Sequence, residues 1–387
     1  MKKENWEVKK LRDVGKVVTG STPKTSENIN YNSNDYCFVK PSDFTSSIKE
    51  IHNSEFYISR YAYKNSRQLP VNSVLVTCIG NIGNIAINKV ECTTNQQINS
   101  IIPYNDINSK FLAYSVFSKR EYLQFIANAP VVPILNKTNF SNVEIPIPPL
   151  PVQEAIVKEL DSLHRLKELQ EQQLTEYDNL AQSTFYSMFG DPIENERGWE
   201  VKKLGEVVNP KAAIKRATKE IKGNDTISYI DISSIDNRIN KVISYKEYVF
   251  KDAPSRAQQI VRIGDIIISL VRPNLNNVAI INDYYYNSVA SSGFCVLRPS
   301  SINLQYLFYI VKGDKFKDYL TARTSGANYP AVKENDIKSY KIIYPPLSLQ
   351  SQFAERIEKI EAQKELVKQG IDQTQLLIDY TMDKYFN

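Results

Sequence analysis

The sequence contains itself twice. Trp6-Glu7-Val8-Lys9-Lys10-Leu11 returns as Trp199-Glu200-Val201-Lys202-Lys203-Leu204, and these are the only two tryptophans in the chain. Val17-Val18 is matched by Val207-Val208, Val74-Leu75-Val76-Thr77 by Ile266-Ile267-Ile268-Ser269, and Phe111-Leu112-Ala113-Tyr114 by Tyr306-Leu307-Phe308-Tyr309. Pro133 corresponds to Pro330, Phe140 to Ile337, and Pro148-Pro149-Leu150 to Pro345-Pro346-Leu347, with Gln153 and Gln350 each following shortly after. Chance does not keep such an order, so the chain is a tandem duplication, and what one half folds into the other must fold into as well.

Each copy changes character at its Pro-Pro-Leu. Before it come short apolar runs of strand character; after it comes one long helical pattern. In the second copy Phe353, Ile357, Ile360, Lys364, Val367, Ile371, Thr374, Ile378, Thr381 and Tyr385 alternate spacings of four and three. The equivalent positions of the first copy are Ile156, Leu160, Leu163, Lys167, Gln170, Leu174, Tyr177, Ala181, Thr184 and Met188. A heptad seam of this kind is the signature of coiled-coil packing. Neither segment has a proline within the seam, and residues 151–188 as one helix would reach about 57 Å. The alternative is two amphipathic helices, each packed on its own domain. If they pair, connectivity makes them antiparallel, because the first leads into the second copy and the second must run back. A globular domain is then expected at each end, with both termini near the first. The polar seam positions Lys167, Gln170 and Lys364 weaken such a coil but help to fix its register. The boundaries read as 1–150 and 191–347 for the globular domains, and 151–190 and 348–387 for the helices.

Charge divides along the same lines. Residues 1–150 hold 17 Lys and Arg against 12 Asp and Glu, and 191–347 hold 23 against 17. The helical stretches hold 3 against 7 and 5 against 7. Globular parts that are net basic suit contact with an anion. No apolar run approaches the roughly 18 residues that span a bilayer. The start, Met1-Lys2-Lys3-Glu4-Asn5-Trp6-Glu7, has charge but no apolar stretch behind it, which argues against a signal peptide. Cys37, Cys78, Cys92 and Cys295 show no CxxC pairing, which argues for free thiols and a cytoplasmic protein.

Chemistry is hard to find. An adenine-methylating turn of the Asn/Asp-Pro-Pro-aromatic type is absent, since the two Pro-Pro pairs follow Ile147 and Tyr344. Asp191 with Glu200-Val201-Lys202 imitates a nuclease, yet Glu7-Val8-Lys9 repeats the tripeptide with no aspartate upstream, so a structural reading is favoured. His52 and His164 are the only histidines, and neither has a partner for metal binding or base catalysis. Gly80-Asn81-Ile82-Gly83 resembles a phosphate-cradling turn, but its counterpart is Arg272-Pro273-Asn274-Leu275, and a hairpin turn explains both. No Walker A motif or dinucleotide fingerprint occurs. No metal or cofactor site is expected in this chain.

What differs between the copies is polar and loop-borne. The first carries Ser21, Thr22, Lys24, Asn81, Asn84, Asn95, Gln96 and Gln97. The second carries Lys211, Lys215, Arg216, Lys219, Arg272, Asn274, Asn276, Arg323 and Ser325. Asn and Gln pair bidentately with adenine and Arg with guanine, while Lys and Arg also neutralise phosphates. Lys211, Lys215, Lys219 and Lys222 would line one face of a helix. Unlike loops on alike scaffolds are what two readers of different sequences need.

The layout resembles the specificity subunits of type I restriction–modification enzymes over essentially the whole chain. The resemblance rests on Trp-Glu-Val-Lys-Lys-Leu heading each copy, Ser291-Ser292-Gly293-Phe294, Ile145-Pro146-Ile147-Pro148-Pro149-Leu150-Pro151-Val152-Gln153 and Phe185-Tyr186-Ser187-Met188-Phe189-Gly190-Asp191-Pro192. Leu204-Gly205-Glu206 follows the family's usual Leu-Gly-Glu, from which Leu11-Arg12-Asp13 departs slightly. It implies an α+β protein, with two pseudo-symmetric mixed α/β target-recognition domains joined by two long antiparallel coiled-coil helices. Each domain would read one half of a split, asymmetric target in double-stranded DNA. Two modification subunits would methylate adenine with S-adenosylmethionine, and two restriction subunits would add ATP- and Mg2+-dependent translocation and cutting. The helices would space the half-sites and dock the modification subunits, and this chain would bind no cofactor itself. The rival readings are a single-chain DNA-modifying enzyme and a coiled-coil scaffold with two protein-binding heads.

Overall fold

The computed structural model describes residues 6–127, 132–209, 217–282, 288–325 and 330–386. Two compact units emerge, 1–172 with 368–387, and 173–367.

In the first unit a five-stranded sheet runs in the order Gly15–Thr19, Ile98–Pro103, Val74–Thr77, Ile85–Asn88, Lys49–Ile51. All its neighbours are antiparallel except Lys49–Ile51, which lies parallel to Ile85–Asn88. Side chains alternate across a strand, so Val74 and Val76 face Phe111 and Leu112 of the helix Ser109–Ser118, while Leu75 faces Cys37, Val39 and Cys92. Both faces are covered. That is why the run Val74-Leu75-Val76 is uniformly apolar rather than alternating. A three-stranded sheet of Tyr57–Ile58, Tyr36–Val39 and Cys92–Thr94 lies beyond the second face.

The second unit repeats the logic with different lengths. Ile266–Ser269 sits between Val278–Ile280 and Phe294–Leu297, with Ile266 and Ile268 in one core and Ile267 in another. A four-stranded sheet runs Lys246–Val249, Thr226–Ile230, Ser288–Ser291, Ala257–Ile260, its middle pair parallel. The carboxylate of Asp265, fully buried, meets the Arg298 guanidinium at 2.6 Å.

The opening motif forms an edge strand and a one-turn helix in each unit. Glu7–Lys10 pairs antiparallel with Glu144–Ile147, and Glu200–Lys203 with Lys341–Tyr344. Leu11–Val14 and Leu204–Val207 follow as helical turns, with Val14 and Val207 buried at the same point. The structure therefore aligns Val207 with Val14, and the expected match of Val17-Val18 to Val207-Val208 is displaced by three residues. The Glu-Val-Lys tripeptides are strand-surface ion pairs in both units, Glu7 with Lys9 at 3.0 Å and Glu200 with Lys202 at 3.3 Å. Asp191 accepts from the backbone N–H groups of Ile193 and Glu194 in a turn. The nuclease-like spacing is structural.

Proline stops each returning strand, and the helices Leu150–Phe189 and Leu347–Phe386 begin at once, with Gln153 N–H donating to Pro149 O and Gln350 N–H to Pro346 O. In the first unit the 150–172 part of one helix packs antiparallel to the 368–386 part of the other. Tyr385 OH donates to Glu159 at 2.8 Å, Thr374 Oγ1 to Gln170 Oε1 at 3.0 Å, and Lys167 Nζ to Gln375 Oε1 at 2.7 Å. In the second unit Lys364 Nζ meets Asp178 at 2.6 Å, and Phe353 packs edge-on to Phe185 and Phe189. Ile156, Leu160, Phe353, Ile357, Ile360 and Ile378 are buried, and Leu163, Leu174, Tyr177, Val367 and Ile371 half-buried. Leu166, Leu169, Leu366, Leu376 and Leu377, off the seam, are exposed.

The two tryptophans explain their own repetition. Trp199 Nε1 donates to Phe189 O at the end of the first long helix, and Trp6 stacks on Tyr385 at the end of the second. Phe189 packs on Tyr306, and Phe386 on Phe111, with ring centroids 4.9 and 5.3 Å apart. Each unit thus receives an aromatic helix end into its core, where a buried Phe contributes about 1.5–3 kcal/mol.

Candidate nucleic-acid interface

In the first unit three polar stretches are tied together by backbone bonds. Ser21 N–H donates to Thr94 O at 2.9 Å, and Cys78 N–H donates to Gln97 O at 2.8 Å. The hairpin carrying Asn81 and Asn84 joins the antiparallel strands Val74–Thr77 and Ile85–Asn88. Thr22 Oγ1 donates to Gln96 Oε1 at 2.6 Å, and both side chains are exposed. Lys24, also exposed, pairs with Glu27 at 3.2 Å. Asn95 and Asn84 have other work. Asn95 is buried and holds its turn by donating to Gln97 Oε1 and accepting from Gln97 N–H. Asn84 Oδ1 accepts from Arg120 Nη2 at 2.7 Å. The sequence hid two supports. Arg120 and Arg67, whose Nη1 donates to Thr19 O at 2.5 Å, lie too far along the chain for any local pattern to reveal them.

The second unit builds its hairpin tip differently. Arg272 and Asn276 flank the turn Pro273–Leu275, both in the left-handed region with φ of 50° and 52°. Gly80 holds the corresponding place in the first unit, at φ 75°. In both, the N–H here reaches across to a proline carbonyl, Gly80 to Pro133 and Arg272 to Pro330. Asn237 and Asn240 brace the tip by donating to Leu275 O and Asn276 O, and Asn276 Nδ2 donates to Lys312 O. Arg272 and Asn274 are exposed. Ser325 exchanges backbone bonds with Ala331, which itself bridges to Val271, so Ser325 and Arg272 come to one edge. The Arg323 guanidinium stacks over Tyr319 at 3.7 Å. Lys211, Lys215 and Arg216 lie outside the described residues. Lys219 belongs to the short helix Ala217–Glu220, with its side chain outside them too.

Among the described residues no group of three or more His, Cys, Asp or Glu side chains could hold a metal ion. The four cysteines are buried free thiols, and burial pushes Cys295 up to about 12 and Cys78 up to about 11. His164 stacks on Tyr114 within the helix packing, and burial lowers its pKa. No helix among the described residues is long and apolar enough to cross a membrane.

The type I restriction modification DNA specificity domain matches the chain twice, over residues 3–177 and 196–375. The type I restriction enzyme MjaIX specificity subunit of Methanocaldococcus jannaschii is 26% identical over 92% of this chain and 87% of its own length. The MjaVIII specificity subunit of the same organism is 22% identical over 92% and 86%. Among solved structures, the S subunit of a type I restriction–modification system from M. genitalium aligns with a TM-score of 0.57 at 14% identity, covering 99% of this chain and 96% of that one. A chain from a study of complex assembly and conformational transition in the type I R-M system gives 0.64 at 18% identity, covering 99% and 98%. The doubled scaffold, its unlike loop tips and these matches agree: the chain belongs to the type I restriction–modification DNA specificity family, as a specificity subunit carrying the family's domain twice.

Proposed function

We propose that residues 1–150 and 191–347 are target-recognition domains, each reading one half of a bipartite, asymmetric site in double-stranded DNA, with 151–190 and 348–387 as spacer helices. The carrying observation is that two matching hairpin scaffolds present different chemistry. The first offers Ser21, Thr22, Asn81, Gln96 and Gln97, suited to adenine, and the second Arg272, Asn274, Arg323 and Ser325, suited to guanine and phosphate. Lys24 joins the first set and Lys211, Lys215, Arg216 and Lys219 the second as phosphate contacts, while Asn84, Asn95 and Asn276 hold the loops in shape. The exposed leucines beside the helix seam, Leu166, Leu169, Leu376 and Leu377, support docking of modification subunits on the helices. Catalysis then belongs to partners: S-adenosylmethionine to two modification subunits, ATP and Mg2+ to two restriction subunits.

Mapping methylated adenines in the host genome with and without this gene tests the reading. A split motif that vanishes with the gene supports it, and an unchanged methylome overturns it. Exchanging the region between Trp199 and Pro345 for that of a relative should then change one half of the motif and leave the other. A change in both halves would refute the division of labour.

A further inference from the structure

A recess of about 650 Å³ opens beside the first unit's recognition loops, lined by Lys16, Arg67 and Lys137 together with Thr19, Ser66 and Gln68. No carboxylate lines it. Among the described residues none of the three cations is in an ion pair, although all three are exposed. Other cations of this unit's surface do have carboxylate partners: Lys24 has Glu27, and Lys89 and Lys110 share Glu50. Three like charges around one concavity repel each other, and an anion relieves that repulsion. Arg67 is held rather than swinging, because its guanidinium donates to Thr19 O and Gly20 O, the residues that lead directly into Ser21 and Thr22. The recess is therefore coupled in position to the loop that carries the polar tips.

At two of the three positions the second copy carries a different residue. By the alignment of the two opening helical turns Lys16 corresponds to Asn209. Lys137 opens its short helix where Glu334 opens the matching one, already paired with Lys338 at 2.9 Å. Lys16 and Lys137 therefore belong to one copy, not to the shared scaffold. We infer that Lys16, Arg67 and Lys137 form a backbone-phosphate clamp that sets the register of the first recognition domain on DNA. This rests on the DNA-reading function proposed above. Phosphate contacts position a protein without reading sequence, which gives the clamp a signature distinct from the loop residues.

The test is binding of the chain, assembled with its modification subunits, to a duplex carrying the methylated motif, measured over a range of salt. Lys16→Gln with Lys137→Gln should lower the slope of log affinity against log salt by about two, since each lost phosphate contact removes about one. The methylated sequence should stay the same. A slope equal to that of the unaltered complex, or a changed motif, overturns the clamp. If the double variant fails to assemble, Lys137→Gln alone, at an exposed side chain, should lower the slope by about one. If the unaltered complex itself shows no sequence-selective methylation, the recognition reading fails instead, so the two failures are distinguishable.

Discussion

The buried side-chain amide of Gln350 accepts a hydrogen bond from the backbone N–H of Asn303 at 2.9 Å, while its Nε2 donates to Pro345 O at 2.8 Å. Asn303 is the cap of the helix Leu304–Lys312, so one glutamine locks the first turn of a long helix to the start of a short one. Gln153 does the same with Asn108 and Pro148 in the first unit. Gln350→Leu keeps the volume but leaves a buried donor and acceptor unpaired, at about 2 kcal/mol. A fall in melting temperature of roughly 4–8 °C is expected in a thermal scan, with Gln153→Leu giving a similar loss.

Arg272 occupies a left-handed conformation that the first unit gives to Gly80. The conformation costs a residue with a Cβ about 1 kcal/mol. Arg272→Gly relieves that strain but also removes the side chain's own contact, so little net change in melting temperature is expected, while roughly 10-fold or more in discrimination should be lost at one base of the second half-site. Thermal unfolding paired with methylation of cognate and singly mismatched duplexes checks both parts.

Gly370 is the interior glycine of its helix, and a Cβ there would stand 2.8 Å from Gln170 Nε2. Gln170 Oε1 also accepts from Thr374 Oγ1 at 3.0 Å. Gly370→Ala gains about 1 kcal/mol of helix preference but displaces the amide, so little net change is expected. Adding Gln170→Ala removes the obstruction, and the double variant should melt higher than Gly370→Ala alone. A lower melting temperature would show that the Gln170–Thr374 bond outweighs helix preference.

His164 is kept neutral chiefly by burial, helped by Lys167 and Lys110 and opposed by Asp161 and Glu168. A histidine whose folded pKa is depressed lends stability that is full above its unfolded pKa. That stability is lost as pH falls through about 6.5 and below. The melting temperature should drop between pH 7.5 and 5.5, and His164→Phe should make the drop smaller. An equal drop in both chains would remove His164 as the cause.

Period and repetition were legible because they are local. The seam from Ile156 to Ile378 could be read from spacing alone, and the structure buries or half-buries each of its named apolar positions. Phe185 and Phe189 escaped that reading. They lie beside the strict heptad rows, and become core only because Tyr306 and Phe353 arrive from distant segments. Strand order was illegible for the same reason: Gly15–Thr19 finds Ile98–Pro103, and no residue in between announces it. Among the loops, composition marked polar stretches but could not sort side chains tied into the fold, such as Asn84 and Asn95, from those left exposed, such as Gln96. Asn84 and Gln96 look alike in sequence; only Arg120, far along the chain, makes one of them a brace.

The aromatic helix ends have a genetic consequence. Trp6 and Phe111 close over Tyr385 and Phe386, residues encoded at the far end of the other repeat, and Trp199 and Tyr306 close over Phe189 in the same crossed manner. The unit of inheritance and the unit of folding are therefore offset by one helix. A gene shortened to a single repeat would make a product whose core lacks its plug. Two identical products would complete both cores only by exchanging their helix ends.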